Sequence, residues 1–396
     1  MKYLIFAVLG LMFMVLGLSA AEPLKVYILA GQSNMQGHVR LSTLDSMADD
    51  PKTAPILKDM LDAEGKLIVC QKVWISSIGC AENGIEQKGK VTGGFGASPN
   101  EFGPEFTFGL YMEKQFNKPI LIIKTSWGGK NLHTDFRPPS AGSRKINEFT
   151  LSQWKQRGLD AVQETAKINK KAGVNYNLMI EHVRKVLADI KQVMPDYDPA
   201  QGYELAGFVW LQGFNDLVDG WTYPDRMKPG GYDEYGQLLG QFIRDVRNDL
   251  AAPKMPFVIG VMGIGGVQEG KKPPQQYFRQ AQAAPAALPE FQGNVVLVQT
   301  ENCWADDLDA LQQRMEKFNS KMDKEAKKDP NLSKTAKEDA IKKALAEAFT
   351  PEEQKRMKGI SNGGYHYLGA ARIMAPIGKA FAEALINLQT GIEKKP

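Results

Sequence analysis

Short, strongly apolar runs recur along this chain with helix-length amphipathic stretches between them, and that alternation constrains the fold more than any other feature. Residues 24–30, 119–125, 205–211, 256–262 and 294–299 are mostly apolar on both faces, as strands buried in a parallel sheet are. Residues 176–194, 232–250 and 275–288 carry helical periodicity instead. Strands alternating with helices predict an α/β fold in three layers, helices covering both faces of a central parallel five-stranded sheet.

Ligands of such a sheet bind outside the carboxyl ends of its strands, so the residues just after each strand matter most. Gly31-Gln32-Ser33-Asn34-Met35 follows the first run, Ser126-Trp127-Gly128-Gly129 the second, and Gln212-Gly213-Phe214-Asn215-Asp216 the third. Three polar, glycine-bearing turns are thereby expected at one sheet edge.

The chain has 396 residues, 43% hydrophobic and 24% charged, enough for a sizeable core. Lys2, an apolar run over residues 3–18 and Ser19-Ala20-Ala21 have the layout of a secretory signal peptide over residues 1–21. The run is short for a membrane anchor, and no other stretch is apolar enough to cross a bilayer. The expected address is secreted or periplasmic. Three cysteines, Cys70, Cys80 and Cys303, are an odd number, and the sequence leaves a bridge between Cys70 and Cys80 open. With no CxxC, no HExxH and four histidines in all, neither a metal nor another cofactor is expected. Net charge is +4 with both signs interspersed, which argues against a nucleic-acid partner.

From 306 to 359 nearly half the residues are charged and aromatics are scarce. This reads as a charged helical insertion on the surface rather than a lid. Thr335 with Glu338, and Thr350 with Pro351 and Glu353, are spaced as helix starts, and Gly359 as a stop.

A serine hydroxyl needs a base and donors for an oxyanion before it is a nucleophile. Ser33 stands at the end of the first strand, where Gly31 allows a sharp bend; read alone, it fits a helix N-cap equally well. Asn215 offers a side-chain amide at the same edge, and Gly128-Gly129 offers backbone N–H groups that a ligand can approach closely. Among the histidines, His182 falls on a helical face, His38 is too near Ser33 in sequence to aim back at it easily, and His133 follows the glycine turn. His366, in Asn362-Gly363-Gly364-Tyr365-His366 before a helical stretch ending near Leu388, is the best-placed base.

These blocks resemble the SGNH hydrolases, and more closely their sialate O-acetylesterase and carbohydrate esterase family 6 branch. Gly31-Gln32-Ser33-Asn34-Met35 is similar to the nucleophile block. Phe102-Gly103-Pro104-Glu105, Phe108-Gly109 and Lys124-Thr125-Ser126-Trp127-Gly128-Gly129 are similar to the second conserved region. Trp210-Leu211-Gln212-Gly213-Phe214-Asn215-Asp216 is similar to the third. The resemblance covers about residues 24–300 and resumes at Ser361. It implies a flavodoxin-like SGNH core, Ser33 as nucleophile, His366 as base, and an oxyanion hole from Ser33, Gly129 and Asn215 with Gln212 beside it. Gln32, Trp127, His133 and Arg137 are the candidate substrate-binding residues, with Asp135 beside them. The implied reaction is removal of acetyl groups from carbohydrate through an acyl-enzyme.

The chain departs from the pattern twice. SGNH enzymes commonly carry Asp three residues before the catalytic His, where this chain has Gly363, and the branch often has Glu where this chain has Phe214. The group orienting His366 is therefore open among Asp216, Asp306, Asp307 and a backbone carbonyl. The expected organisation is a signal peptide at 1–21, a catalytic core at 22–305, the insertion at 306–359, and the rest of the core at 360–396. Two other readings stay open, a non-hydrolytic carbohydrate-binding protein on the same scaffold and an esterase of non-sugar short-chain esters.

Overall fold

The computed structural model describes residues 22–80, 84–267, 274–328 and 333–391; the expected signal peptide at 1–21 lies outside them. Nine strands are β1 (Leu24–Gly31), β2 (Val39–Arg40), β3 (Val73–Ile78), β4 (Gln87–Lys90), β5 (Glu101–Phe102), β6 (Ile120–Ser126), β7 (Tyr203–Leu211), β8 (Phe257–Val261) and β9 (Val295–Gln299). The α-helices are α1 (Ser33–Gln36), α2 (Ala54–Met60), α3 (Glu105–Phe116), α4 (Glu148–Gln156), α5 (Ala161–Lys171), α6 (Val174–Ala188), α7 (Phe214–Val218), α8 (Asp233–Asp249), α9 (Gln275–Ala283), α10 (Asp306–Lys328), α11 (Lys334–Ala348), α12 (Pro351–Met357) and α13 (Ala371–Thr390).

Seven strands form the central sheet in the order β4-β3-β6-β1-β7-β8-β9, and β2 pairs with β5 separately. The sheet is parallel except for β4, which runs antiparallel to β3 at one edge. The count is thus seven rather than the expected five. The five apolar runs are β1, β6, β7, β8 and β9. The two additional strands are more polar: β3 contains Ser76 and Ser77, and β4 reads Gln-Lys-Gly-Lys.

From Val26 onward both faces of β1 are buried, as the apolar run there requires. Tyr27 and Leu29 pack into a core shared with α3 and α13, while Val26, Ile28 and Ala30 pack into a second core shared with α6, α8 and α9. The result is a three-layer α/β/α sandwich with one core on each side of the sheet. Gly378 allows α13 close to α3, since a Cβ there would overlap the Pro104 carbonyl and the Thr107 hydroxyl. Thr107 Oγ1 donates to the Ala375 carbonyl across that contact (2.8 Å).

The charged segment forms α10, α11 and α12. Its two ends join the core through Leu308, Leu311 and Phe349, and Arg314 pairs with Glu353 to hold α12 against α10. Thr350 and Glu353 form the reciprocal capping box. α11 begins two residues earlier than Thr335 suggested, because Ser333 Oγ accepts the Ala336 N–H (3.2 Å) and caps it. Cys70 and Cys80 are free, buried thiols and not a disulfide; Cys80 Sγ instead lies 3.1 Å from Ser77 Oγ and 3.3 Å from Ser126 Oγ.

Candidate active site

Register brings the three turns together. Gly31, the last residue of β1, lies opposite Ser126 at the end of β6 and opposite Leu211 at the end of β7. The chains leaving those three strands therefore start at one level. Gly31 is obligatory here, since a Cβ would overlap the Leu211 carbonyl oxygen. Ser33 then opens α1, where the first N–H groups of a helix lack intrahelical acceptors.

A single amide organises the first and third turns. Gln32 is 1% exposed, and its Oε1 accepts from the Gly213 N–H (3.0 Å), the Asn215 N–H (3.3 Å) and Gln212 Nε2 (3.2 Å). Backbone N–H groups only donate, so the oxygen of Gln32 must face them. Its Nε2 consequently donates to Asn215 Oδ1 (2.8 Å) and sits 3.5 Å from Ser33 Oγ. With Oδ1 committed to Gln32, Asn215 Nδ2 is turned the other way.

Gln212 is oriented inward. Its Nε2 faces Asp216 Oδ2 (2.6 Å), the Lys130 carbonyl (3.1 Å) and Gln32 Oε1 (3.2 Å), and its Oε1 accepts from the Tyr235 hydroxyl (3.0 Å). Three acceptors compete for two protons, so no N–H is left for an oxyanion. Asp216 is wholly buried and accepts from Leu132 N–H, His133 N–H, Gln212 and Tyr223. Burial pushes its carboxyl up in spite of those donors. It ties the glycine turn to the Asn215 turn and does not orient His366.

The remaining polar candidates of the second turn are structural. His133 Nε2 pairs with Asp219 Oδ2 (2.9 Å) and its Nδ1 with Thr134 Oγ1 (2.7 Å), at 2% exposure. Arg137 donates to the carbonyls of Gly142, His133 and Ala141. Asp135 accepts the Asn131 N–H and pairs with Lys130. Both ring nitrogens of His133 are engaged, and Arg137 commits three of its five N–H groups to carbonyls. Trp127 is half-buried with its ring against Phe136 (5.9 Å), and Gly129, at φ +70°, is exposed with open space around it.

His366 belongs to a single irregular turn, 364–369, that is far from loose. Tyr367 and Leu368 both hold left-handed backbone (φ 52° and 61°), uncommon for side chains of this size. Tertiary contacts impose it. The buried Tyr367 hydroxyl lies 2.7 Å from Thr300 Oγ1 and accepts the Gly263 N–H (3.0 Å), and the Leu368 carbonyl accepts from Ser361 and Asn362. The turn is thereby hung over the ends of β8 and β9.

Two contacts join this turn to the Ser33 turn. Asn34 Nδ2 donates to the Tyr365 carbonyl (3.2 Å), and His38 stacks on His366 with ring centroids 4.2 Å apart and planes 2° from parallel. Ser33 and His366 are each adjacent in sequence to the ends of the Asn34–Tyr365 bond. Among the described residues no hydrogen bond joins Ser33 Oγ to the His366 ring, a pairing that often tightens only with substrate bound. Burial, and secondarily the neighbouring His38, lower the pKa of His366 to about 4, so the ring is neutral at ordinary pH. Its Nδ1 is buried without a hydrogen-bond partner.

No candidate carboxylate reaches that nitrogen. Asp216 is committed as described; Asp307 pairs with Arg372 (2.9 Å) and Arg356, and Asp306 opens α10 near Gly266. His182 is buried on α6 with Nε2 2.9 Å from Ser76 Oγ. Sequence reasoning missed Asn34, Tyr365 and Tyr367 as parts of the site. Asn34 lies inside the quoted nucleophile block, whereas nothing in the local sequence signals the left-handed turn. Among the described residues no group of three His, Cys, Asp or Glu side chains is arranged to hold a metal ion, and no helix is long and apolar enough to cross a membrane.

Among solved structures, a protein from Arabidopsis thaliana is 17% identical over 70% of this chain and 86% of its own, with a TM-score of 0.37. A carbohydrate acetylesterase from Xanthomonas citri is 15% identical over 69% of this chain and 49% of its own, TM-score 0.38. NanS is 14% identical over 70% of this chain and 78% of its own, TM-score 0.37. Curated protein sequences give no match. A family model described as "Carbohydrate esterase, sialic acid-specific acetylesterase" matches residues 23–315, which take in β1 to β9 and all three turns at the sheet edge. By that match, spanning well over half of its length, the chain belongs to the sialic acid-specific acetylesterase family of carbohydrate esterases.

Proposed function

We propose that this chain is an exported serine esterase of the SGNH type, in the carbohydrate esterase family 6 branch, that removes O-acetyl groups from carbohydrate, sialate or polysaccharide. Ser33 Oγ bonds to the acetyl carbonyl carbon while its proton passes to His366. The carbonyl oxygen becomes an oxyanion held by the N–H groups of Ser33 and Gly129 and by Asn215 Nδ2. Collapse breaks the bond to the sugar oxygen, which takes the proton from His366, and acetyl-Ser33 is left. Water then adds with His366 as base, and acetate departs. Gln32 and Gln212 act as positioning residues, and Trp127 borders the entrance. The signal-like start at 1–21 supports export.

The observation that carries the reading is the fixed orientation of Asn215. Gln32, held by two backbone donors, takes the amide oxygen of Asn215 and leaves its Nδ2 free of that bond, as the proposed oxyanion donor. Preorganised donors of this kind supply about 10²–10³ in turnover each. The neutral, half-buried His366 on the adjoining turn supports its assignment as base.

One observation favours a second reading, a carbohydrate-binding protein that does not hydrolyse: among the described residues the base has no carboxylate on its Nδ1, as triads do. Hydrolysis of a short acetyl ester by wild type and Ser33→Ala decides between them. The esterase reading expects the rate to fall by about 10³-fold or more in the variant, and labelling by a serine-directed phosphonate to map to Ser33. Equal rates in the two proteins, or labelling elsewhere, would sink it. A series of acyl chain lengths separates acetyl specificity from a general short-chain esterase, which would turn over longer chains as well or better.

A further inference from the structure

The two positions where a carboxylate was expected are linked by aromatic contacts around His366. At Gly363 a Cβ would stand 2.6 Å from Cε1 of Tyr365, so the tyrosine ring occupies the space where an aspartate side chain would begin. Phe214, in the place of the expected glutamate, packs against the same ring (5.9 Å). Tyr365 in turn meets His366 edge to face at 4.5 Å. The opposite requirement, something that fixes the plane of the imidazole, is met from the serine turn. His38 lies flat on His366, and its own orientation is set by a relay. Gln36 Nε2 donates to the Gly79 carbonyl (2.7 Å), so Gln36 Oε1 must face His38 Nε2, 3.2 Å away, and His38 carries its proton on that nitrogen. The Gln36 backbone is fixed as well, because its carbonyl accepts from the buried Lys124 ammonium (2.9 Å).

We propose that His38 is a positioning residue for His366, holding the plane of the imidazole by face-to-face stacking in a site where, among the described residues, no carboxylate does so. The proposal rests on the reading of His366 as the base. Stacking fixes the ring's tilt and leaves rotation in its plane to the Asn34–Tyr365 bond and the pinned Tyr367. It also has an electrostatic consequence. Two imidazoles in contact face to face resist double protonation, so the pair takes up its protons in separated steps. The charged groups acting on His38 are Glu101, which favours its protonated form, and Lys124, which opposes it; the group acting on His366 is His38 itself. Burial opposes protonation of both.

His38→Ala removes the stack, and His38→Phe keeps a flat ring without a proton site. On a short acetyl ester, His38→Ala is expected to lower kcat about ten- to a hundredfold, the scale of a small misplacement of a reacting group, with KM within about twofold. His38→Phe is expected to recover most of that rate, and to raise the pH at which His366 protonates in an imidazole NMR titration, since the second charge is gone. Denaturation midpoints establish that both variants are folded. Wild-type kcat in a folded His38→Ala, no rescue by phenylalanine, or an unshifted His366 titration in His38→Phe would overturn the proposal. The NMR readout needs no turnover: if Ser33→Ala shows that the protein is no esterase, the titrations of His38 and His366 still decide whether the two rings are coupled.

Discussion

Gln32→Glu is the sharpest perturbation of the oxyanion side. The native amide gives its oxygen to the N–H groups of Gly213 and Asn215 and its nitrogen to Asn215 Oδ1 at 2.8 Å. The substitution keeps an oxygen facing the backbone but sets a second acceptor against Asn215 Oδ1. Two buried acceptors in contact cost about 1–3 kcal/mol, which the Asn215 side chain relieves by turning its amide over. Its Nδ2 then bonds the introduced carboxylate, and Oδ1 faces the place of the oxyanion. One donor is lost, for about 10²–10³ in kcat, or about 2.7–4 kcal/mol. KM changes by less than about twofold, because the oxyanion exists only beyond the ground state. Asn215→Ala removes the same donor, so the double variant is expected to be no slower than the worse single one. Burial raises the pKa of the introduced carboxyl, and its protonated form donates to Asn215 Oδ1 as glutamine does. Part of the lost rate therefore returns as pH falls. The assay is kcat and KM on a short acetyl ester across about pH 5–8, with folding checked by denaturant midpoint. A folded Gln32→Glu enzyme with kcat within about threefold of wild type, or a double variant whose loss is the product of the two single losses, refutes the reasoning.

Three further outcomes follow from the same structure. His182 and His366 are both lowered from 6.5 to about 4, chiefly by burial; the unfolded chain binds more protons than the folded one between those values, so stability is full above pH 6.5 and is lost as pH falls towards 4. Urea midpoints against pH should show this loss, and His182→Asn should flatten it; an unchanged slope would count against the assignment. Lys124 and Glu105, both fully buried at 2.7 Å, are expected to make Lys124→Met destabilising by about 3–5 kcal/mol, with Glu105→Leu added to it recovering part in chemical denaturation. Tyr367→Phe leaves the Gly263 N–H without its acceptor, for about 1–3 kcal/mol of stability, and should lower kcat more than KM by loosening the turn that carries His366.

The parts of the fold that were legible are those where burial on both faces dictates composition. β1, β6, β8 and the second half of β7 are buried on almost every position and β9 is at least half-buried up to Val298, so their sequences are mostly apolar runs. β3 and β4 escaped because side-chain partners substitute for apolarity. Ser76 bonds Glu86 and His182, Ser77 bonds Cys80, and β4 lies at the antiparallel edge with lysines beside solvent. The three turns were legible because parallel strands in register end together. Which amide of each turn faces inward was not. Gln212 and Asn215 are alike in chemistry and three residues apart, and their opposite assignments are made by Asp216 in the same turn and by Gln32 and Tyr235 from elsewhere in the chain. The His366 turn was illegible for the opposite reason: Tyr367 and Leu368 disfavour their own backbone conformation, and contacts with Thr300 and Gly263, at the ends of other strands, help impose it.

In the mechanism proposed above, these two halves of the site divide the catalytic work unequally. In a triad the carboxylate both orients the imidazole and stabilises its protonated form, and its loss costs about 10⁴ in turnover. Here stacking and backbone contacts can replace only the first of those roles. A ring with buried, unpartnered Nδ1, stacked on a second imidazole, is a poor acceptor for the Ser33 proton, whereas once protonated it is a strong acid towards the departing sugar oxygen. Formation of the tetrahedral intermediate is then the difficult step and its collapse the easy one. The chain's heavier investment in polar order lies where that step is assisted. Gln32, Gln212, Asp216, Tyr223 and Tyr235 form one buried hydrogen-bonded network behind Asn215, while His366 meets the rings of His38 and Tyr365. Such a network gives up no reorganisation energy when charge develops on the substrate oxygen, and this compensates on the oxyanion side for what the base lacks.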